Sequence, residues 1–162
     1  PVTRYMMLVM SLPFFMVMLF GFFIAGYTGV LLGATNRPVW GGNVWIGPLF
    51  IASAASVGAA AIALWDGRAR LAGFRRLDVI ATALEVLLLV LFLQSLGAAA
   101  AIFLTGSFAP LFWGAVVVAG VALPFLIRFF AGAGRGPELV TAALLLVGGF
   151  ALRYLVLVSG QA

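Results

Sequence analysis

Long apolar runs separated by short polar joints organise this chain. Apolar residues follow one another with few polar interruptions over residues 5–32, 44–65, 77–104, 108–130 and 137–158. A helix of about 20 apolar residues crosses the roughly 30 Å hydrocarbon layer of a bilayer, so each run predicts one crossing. The first and third runs exceed that length and predict tilted helices; Pro13 predicts a kink in the first. The joints carry turn chemistry. Gly33-Ala34-Thr35-Asn36-Arg37-Pro38 is followed by Gly41-Gly42-Asn43; a polar joint opens at Trp65-Asp66-Gly67-Arg68 and closes at Arg75-Arg76; Thr105-Gly106-Ser107 is a short uncharged turn; and a Gly-rich joint covers residues 131–137. Pro137 and Glu138 suit a helix start, where a missing N–H costs nothing and an acid meets the positive end of the helix dipole. The pattern predicts an all-α fold: a polytopic transmembrane helix bundle of about five spans, forming one domain over residues 1–162. A membrane barrel would instead show short segments of alternating polarity, and Val79–Ile102 does not alternate.

Composition agrees with this and narrows the chemistry. The chain is 65% hydrophobic and 8% charged, whereas a water-soluble domain carries about a quarter of charged residues. It contains no Cys and no His, the commonest ligands of zinc, haem and iron–sulfur clusters. Four acidic residues are too few for a carboxylate cage. The expectation is that this chain binds no metal or haem, and that any redox metal sits on a partner. The net charge of +5 comes from nine arginines without a lysine. In a membrane protein such an excess reports topology rather than a nucleic-acid partner. Arg68, Arg70, Arg75 and Arg76 crowd the joint between the second and third runs; Arg4, Arg128 and Arg135 fall on the same side, and Arg37 alone lies in an outer joint. The positive-inside rule then places the N-terminus inside and the C-terminus outside. The Arg-only, Ala/Gly-rich composition points to a high-GC bacterial genome, hence a multi-pass protein of the bacterial inner membrane. The first apolar run is too long for the core of a signal peptide.

Two ionisable residues fall within the runs, Glu85 in the third and Arg153 in the fifth. Such residues are expensive in lipid and face a bundle interior, a cavity or a partner; the plainer reading is a polar clamp between helices. At 1.5 Å per residue, Glu85 lies about 12 Å from the start of its run, and Arg153 about 22–24 Å along its own. That difference favours separate jobs: Glu85 taking protons from the inner half, Arg153 near the outer third at the depth of Gln94 and Ser53. Tyr27 and Thr28 stand near the outer end of the first run, and Asn36 and Trp40 follow in the outer joint. A phenol, an amide and a buried arginine around an apolar cleft would suit a quinone, whose head needs a donor for each carbonyl. A lone interfacial Tyr is more often an anchor. The small residues of Ala52-Ser53-Ala54-Ala55-Ser56-Val57-Gly58-Ala59-Ala60, like Gly21, Gly26, Gly148 and Gly149, read as close helix packing. Trp40, Trp45, Trp65 and Trp113 read as interfacial belts.

Four ordered stretches add a family likeness. Residues 26–40, Gly26-Tyr27-Thr28-Gly29-Val30-Leu31-Leu32-Gly33-Ala34-Thr35-Asn36-Arg37-Pro38-Val39-Trp40, come first. Pro48-Leu49-Phe50-Ile51-Ala52-Ser53-Ala54, then Arg76-Leu77-Asp78 with Leu84-Glu85, then Gly148-Gly149-Phe150-Ala151-Leu152-Arg153-Tyr154 with Ser159-Gly160-Gln161, complete the set. Together they resemble the NrfD/PsrC family, the membrane subunits of polysulfide-reductase-type complexes. The likeness runs from about residue 25 to the end and matches the C-terminal part of a usually larger bundle. It implies a subunit without a bound cofactor that exchanges electrons with menaquinol or ubiquinol. It implies a multi-cubane, ferredoxin-like iron–sulfur partner on the outer face, often linked to a molybdopterin subunit, or multihaem partners as in alternative complex III, with other transmembrane subunits and lipid around it. Tyr27 resembles a tyrosine that the family places near the quinone head, so Tyr27, Thr28, Asn36, Trp40 and Ser53 form the expected quinone-binding set. Glu85, Gln94 and Arg153 form the expected proton path. A structural anchor without a quinone site is the alternative. A small transporter ranks last, because the second and fourth runs hold no ionisable residue in their cores.

Overall fold

The computed structural model describes residues 2–37, 39–65, 72–131 and 135–161, with side chains described from Ser11 onward except at 63, 65 and 72–78. The expected joint residues Pro38, 66–71 and 132–134, and the side chains of Arg4, Trp65, Arg68, Arg70, Arg75, Arg76 and Asp78, lie outside that description. The described residues form helices and turns without a strand: α1 (Val2–Gly33), α2 (Ile46–Trp65), α3 (Ala72–Ser95), a 3₁₀ turn (Gly97–Ala100), α4 (Ala101–Leu104), α5 (Ala109–Leu111), a π-helix (Phe112–Ala122), α6 (Leu123–Phe130) and α7 (Arg135–Ser159). Ser11–Gly33, Ala109–Phe130 and Arg135–Ser159 are each long and apolar enough to cross a membrane; α2 and α3 carry shorter apolar stretches, Ile46–Ile62 and Val79–Ser95.

Helix α2 is the hub. It packs on α1, α3 and α7, and α7 packs in turn on the π-helix and α6. The C-terminal ends of α1, α3 and α7 meet at one end of the bundle, tied by the loop of residues 34–45. Trp40 Nε1 donates to the Val156 carbonyl at 2.7 Å, Asn43 Nδ2 donates to Ser95 Oγ at 2.8 Å, and the Gly42 amide donates to the Gly33 carbonyl at 2.9 Å. Helices α1, α3 and α7 therefore run in one direction and α2 in the other, as alternating crossings require. Arg37 lies at the Trp40 end; Arg128 and Arg135 lie near the end of α6 and the start of α7, at the other.

The core is uneven along the bundle. Around the Trp40 end it holds Ile46, Leu49, Phe50, Phe92, Phe103, Phe112, Leu152, Leu155 and Val156. Phe103 sits between Phe92 and Phe112, at centroid distances of 6.1 and 6.3 Å. A second, small cluster of Ala60, Ala142 and Leu145 lies toward the Arg135 end. Helix α1 contributes almost nothing to either core: Phe14, Val17, Phe20 and Phe23 are all more than half exposed. In water that surface would be a severe liability, but lipid tails solvate it. Trp40, 8% exposed with its only donor satisfied, is part of the core and not a belt residue. Replacing Trp40 by Phe keeps most of the packing and removes the hydrogen bond to α7, so unfolding in lipid nanodiscs should show a loss of about 1 kcal/mol.

Two expectations are corrected in detail. The third apolar run predicts one helix to Leu104, but α3 ends at Ser95 and the backbone turns at Gly97, whose φ is +54°. Glycine adopts that region without steric cost, and Ser95 Oγ donates back to the Phe92 carbonyl at 2.7 Å. Residues 97–111 then form a corner, closed by Trp113 Nε1 donating to the Leu104 carbonyl at 3.1 Å. The fourth run is not a plain α-helix: its middle, Phe112–Ala122, is wound as a π-helix, and α-geometry returns at Leu123-Pro124. The Leu123 amide still donates to the Val118 carbonyl, five residues back; Pro124, which has no N–H to donate, marks the change of winding. Helix α1 holds Pro13 inside it without a break.

Candidate functional site

Helix α2 turns one face inward with Leu49, Phe50, Ser53, Ser56 and Ala60, the spacing of a buried helical stripe. The small serines at its centre let α3 and α7 come close, and both helices bring a charge there. Glu85 of α3 accepts a hydrogen bond from Ser56 Oγ at its Oε2, 2.8 Å away. The same Ser56 hydroxyl lies 3.1 Å from the Ser53 carbonyl, one turn back on its own helix. Arg153 of α7 points Nη2 at the Phe50 carbonyl, 3.4 Å away, and its guanidinium lies over the Phe50 ring at 5.9 Å. Glu85 and Arg153 act on each other electrostatically.

Beside Glu85 is a void of about 10 Å³, bounded by Val86 and Leu89 of α3, Val116 and Gly120 of the π-helix, and Leu145, Gly148, Gly149 and Leu152 of α7. That is close to the smallest space that takes a single water. Ser53, on the far side of Gly149, is fully buried and its hydroxyl has no hydrogen-bond partner among the described residues. Thr141 of α7 is in the same state toward the Arg135 end. Buried hydroxyls without partners are uncommon and costly; Ser53 lies on the same face of α2 as Phe50 and Ser56, which bond Arg153 and Glu85.

The sequence candidates divide between this centre and the loop end. Glu85 bonds α2 at Ser56 and Arg153 bonds it at Phe50, six residues apart, so the two bear on one face of α2 from different depths. Their gap in depth is smaller than the apolar runs suggest. Helix α3 starts at Ala72, five residues before the expected Leu77, and α7 starts at Arg135. Counted from the helix starts, Glu85 is about 20 Å along α3 and Arg153 about 27 Å along α7. Arginine side chains on a helix lean toward its N-terminus, which closes much of that gap. Gln94, near the end of α3, is exposed and stands apart from both. Tyr27 is 50% exposed on the flank of α1, stacked on Phe23 at 5.5 Å. Thr28 donates to the Ile24 carbonyl of its own helix at 3.0 Å. Asn36 lines an open pocket of about 450 Å³ at the loop end, with Gly33, Thr35, Arg37 and Gly42. Of the five expected quinone residues, Asn36 alone lines that pocket, and none lines the void beside Glu85. Trp40 and Ser53 are enclosed by protein.

Sequence reasoning did not single out Ser56, the Phe50 carbonyl or the Gly120–Gly148 contact. Ser56 stands three residues after Ser53 in a run read as packing, and backbone acceptors leave no mark in a sequence. Among the described residues, no group of three His, Cys, Asp or Glu could hold a metal ion.

Fold and site define a membrane-embedded helical subunit whose buried centre is an acid, a base and hydroxyls. The polysulfide reductase family model of NrfD type matches residues 5–162. The chain belongs to that family, whose members are quinol-interacting membrane subunits working with other subunits of a redox complex. The match begins some twenty residues before the stretch that carried the resemblance. No curated protein and no solved structure matches the chain.

Proposed function

We propose that this chain is the membrane anchor and quinol-interacting subunit of a respiratory or photosynthetic electron-transfer complex of the bacterial inner membrane. It exchanges electrons between menaquinol or ubiquinol and an iron–sulfur or haem partner docked at the Trp40 end. The family match over nearly the whole chain carries the reading. Local chemistry supports it. Tyr27 presents a phenol on a lipid-facing aromatic flank, where a quinone tail has direct access. Asn36 supplies an amide in the polar pocket where the loop meets the helix ends. Thr28, Trp40 and Ser53 then act from behind, holding α1, the loop and α2 in register. Quinol oxidation releases two protons as well as two electrons, and the half-buried Glu85 and Arg153 take part in proton movement, with Gln94 nearer the exit. A multi-pass topology with the Arg135 end in the cytoplasm follows from the arginine distribution.

Purification of the native complex, followed by solvent extraction and chromatography of bound quinone, tests this. Bound quinone, and a roughly tenfold lower rate of quinol-driven reduction of the partner in Tyr27→Phe, is the expected result; losing one hydrogen bond worth about 1.4 kcal/mol in the transition state gives that factor. A preparation that holds no quinone and is indifferent to Tyr27→Phe overturns the reading and leaves a non-redox anchor.

A further inference from the structure

The Ser56 hydroxyl has two acceptors and one proton. Its oxygen is 2.8 Å from Glu85 Oε2 and 3.1 Å from the Ser53 carbonyl. A hydroxyl donates once and accepts twice, an ionised carboxylate only accepts, and a protonated one has an O–H of its own to give. The two states of Glu85 therefore demand opposite arrangements. With Glu85 ionised, Ser56 must donate to Oε2. With Glu85 protonated, the carboxyl O–H can donate to Ser56 Oγ, and the serine proton is free to turn to the Ser53 carbonyl. Each state keeps the Glu85–Ser56 hydrogen bond.

We infer that Ser56 is a reversible donor that lets the buried centre hold Glu85 in either protonation state without stranding a polar group. A fixed donor such as a backbone amide could bond either form but could not accept the O–H of the protonated one. The proton arriving at Oε2 forms one O–H bond, and the serine O–H merely rotates, so the exchange needs no other reactant and moves no electrons. The groups facing Glu85 fit this role. From α7, Arg153 is the charged group that senses it. From α2 come the two serines. Among the described residues, the void beside Glu85 is lined by Val116, Gly120 and Val121 of the π-helix and by Leu145, Gly148, Gly149 and Leu152 of α7. Arg153 bonds the Phe50 carbonyl and Ser56 reaches the Ser53 carbonyl. The proton on Glu85 thus redistributes hydrogen bonds between Ser53 and Ser56, a single turn of α2, the helix on which α1, α3 and α7 all pack.

Ser56 is a positioning residue in this scheme, and the scheme does not depend on quinone binding. Infrared difference spectra of the whole protein in lipid, between high and low pH, read it directly. A carboxylic C=O band that vanishes in Glu85→Gln belongs to Glu85. In Ser56→Ala that band is expected to shift to higher frequency, because the acid loses its acceptor; in Ser56→Thr, which keeps the hydroxyl, it is expected to return to the wild-type position. An unmoved band in Ser56→Ala overturns the inference. So does an equal shift in both variants, which would report packing alone, and so does the absence of any Glu85 acid band across the pH range in which the helical amide spectrum is retained.

Discussion

Gly148→Ala is expected to destabilise the bundle by about 3 kcal/mol, the upper part of the usual range for overpacking, although a single methyl group is added. A Cβ at position 148 would fall against Gly120 Cα and stand 3.0 Å from the Gly120 nitrogen and 3.5 Å from the Ala115 carbonyl oxygen. All three obstacles are backbone, so no rotamer change relieves them and α7 must move away from the π-helix. Where lipid solvates apolar surface as well as protein does, close backbone approach is a principal source of helix association, and this variant removes it. The reciprocal change, Gly120→Ala, meets Gly148 Cα at 2.9 Å and should cost less. Gly149→Ala meets the Val57 side chain and the Ser53 hydroxyl, which can give way. Gly58→Ala meets nothing within 4 Å and serves as the control; it should stay within about 0.5 kcal/mol of wild type. Unfolding midpoints of the four variants in lipid nanodiscs order them. Equal midpoints for Gly148→Ala and Gly58→Ala would mean that α7 and the π-helix do not cross at these glycines.

The all-helical fold and the alternating direction of α1, α2 and α3 were legible because lipid imposes a simple rule. Apolar runs of sufficient length become helices, and turn residues separate them. The same rule hid the break after Ser95. Residues 96–104 are Leu, Gly, Ala, Ile, Phe and Leu, and nothing in their polarity distinguishes a helix in lipid from a corner packed on the Phe92–Phe103–Phe112 stack. A lone Gly97 within an apolar run is ambiguous, since glycine is common inside membrane helices; only its φ of +54° shows that it ends one. The π-winding of residues 112–122 leaves no signature in hydropathy either, because the apolar periodicity of a lipid-exposed segment is weak.

The candidate site was legible in part for a related reason. Charges in apolar runs announce themselves, so Glu85 and Arg153 were found. Their separation in depth is overstated by the edges of the apolar runs, because α3 begins earlier, in the polar sequence Ala72-Gly73-Phe74-Arg75-Arg76. Ser56 was hidden in a run of small residues whose evident role was packing. Trp40 lies in a turn-rich joint that the sequence shows, but its near-complete burial depends on Gly160, where a Cβ would collide with the indole ring; a contact across 120 residues has no local trace.

Arg153→Leu is expected to cost about 2 kcal/mol, and its coupling to Glu85 decides what the centre is. Removing one member of a fully buried pair costs about 3–5 kcal/mol; Arg153 is only half-buried, and partial exposure reduces the figure. The leucine forfeits the Phe50 carbonyl, the contact with the Phe50 ring and the attraction of Glu85, leaving a carboxylate among Val116, Leu145 and Leu152. Glu85→Gln keeps an acceptor for the Ser56 hydroxyl while removing the charge, and should cost about 1 kcal/mol. Combined with Glu85→Gln, Arg153→Leu no longer strands a charge, so the double variant should be more stable than the two losses added together, by an interaction energy of about 1 kcal/mol. A thermodynamic cycle built from unfolding midpoints in nanodiscs measures that energy. Strict additivity would return Glu85 and Arg153 to independent roles, one in each half of the membrane. Coupling of the expected size makes them one unit, in which a proton placed on Glu85 weakens the hold on Arg153 and is felt on α2 at Phe50.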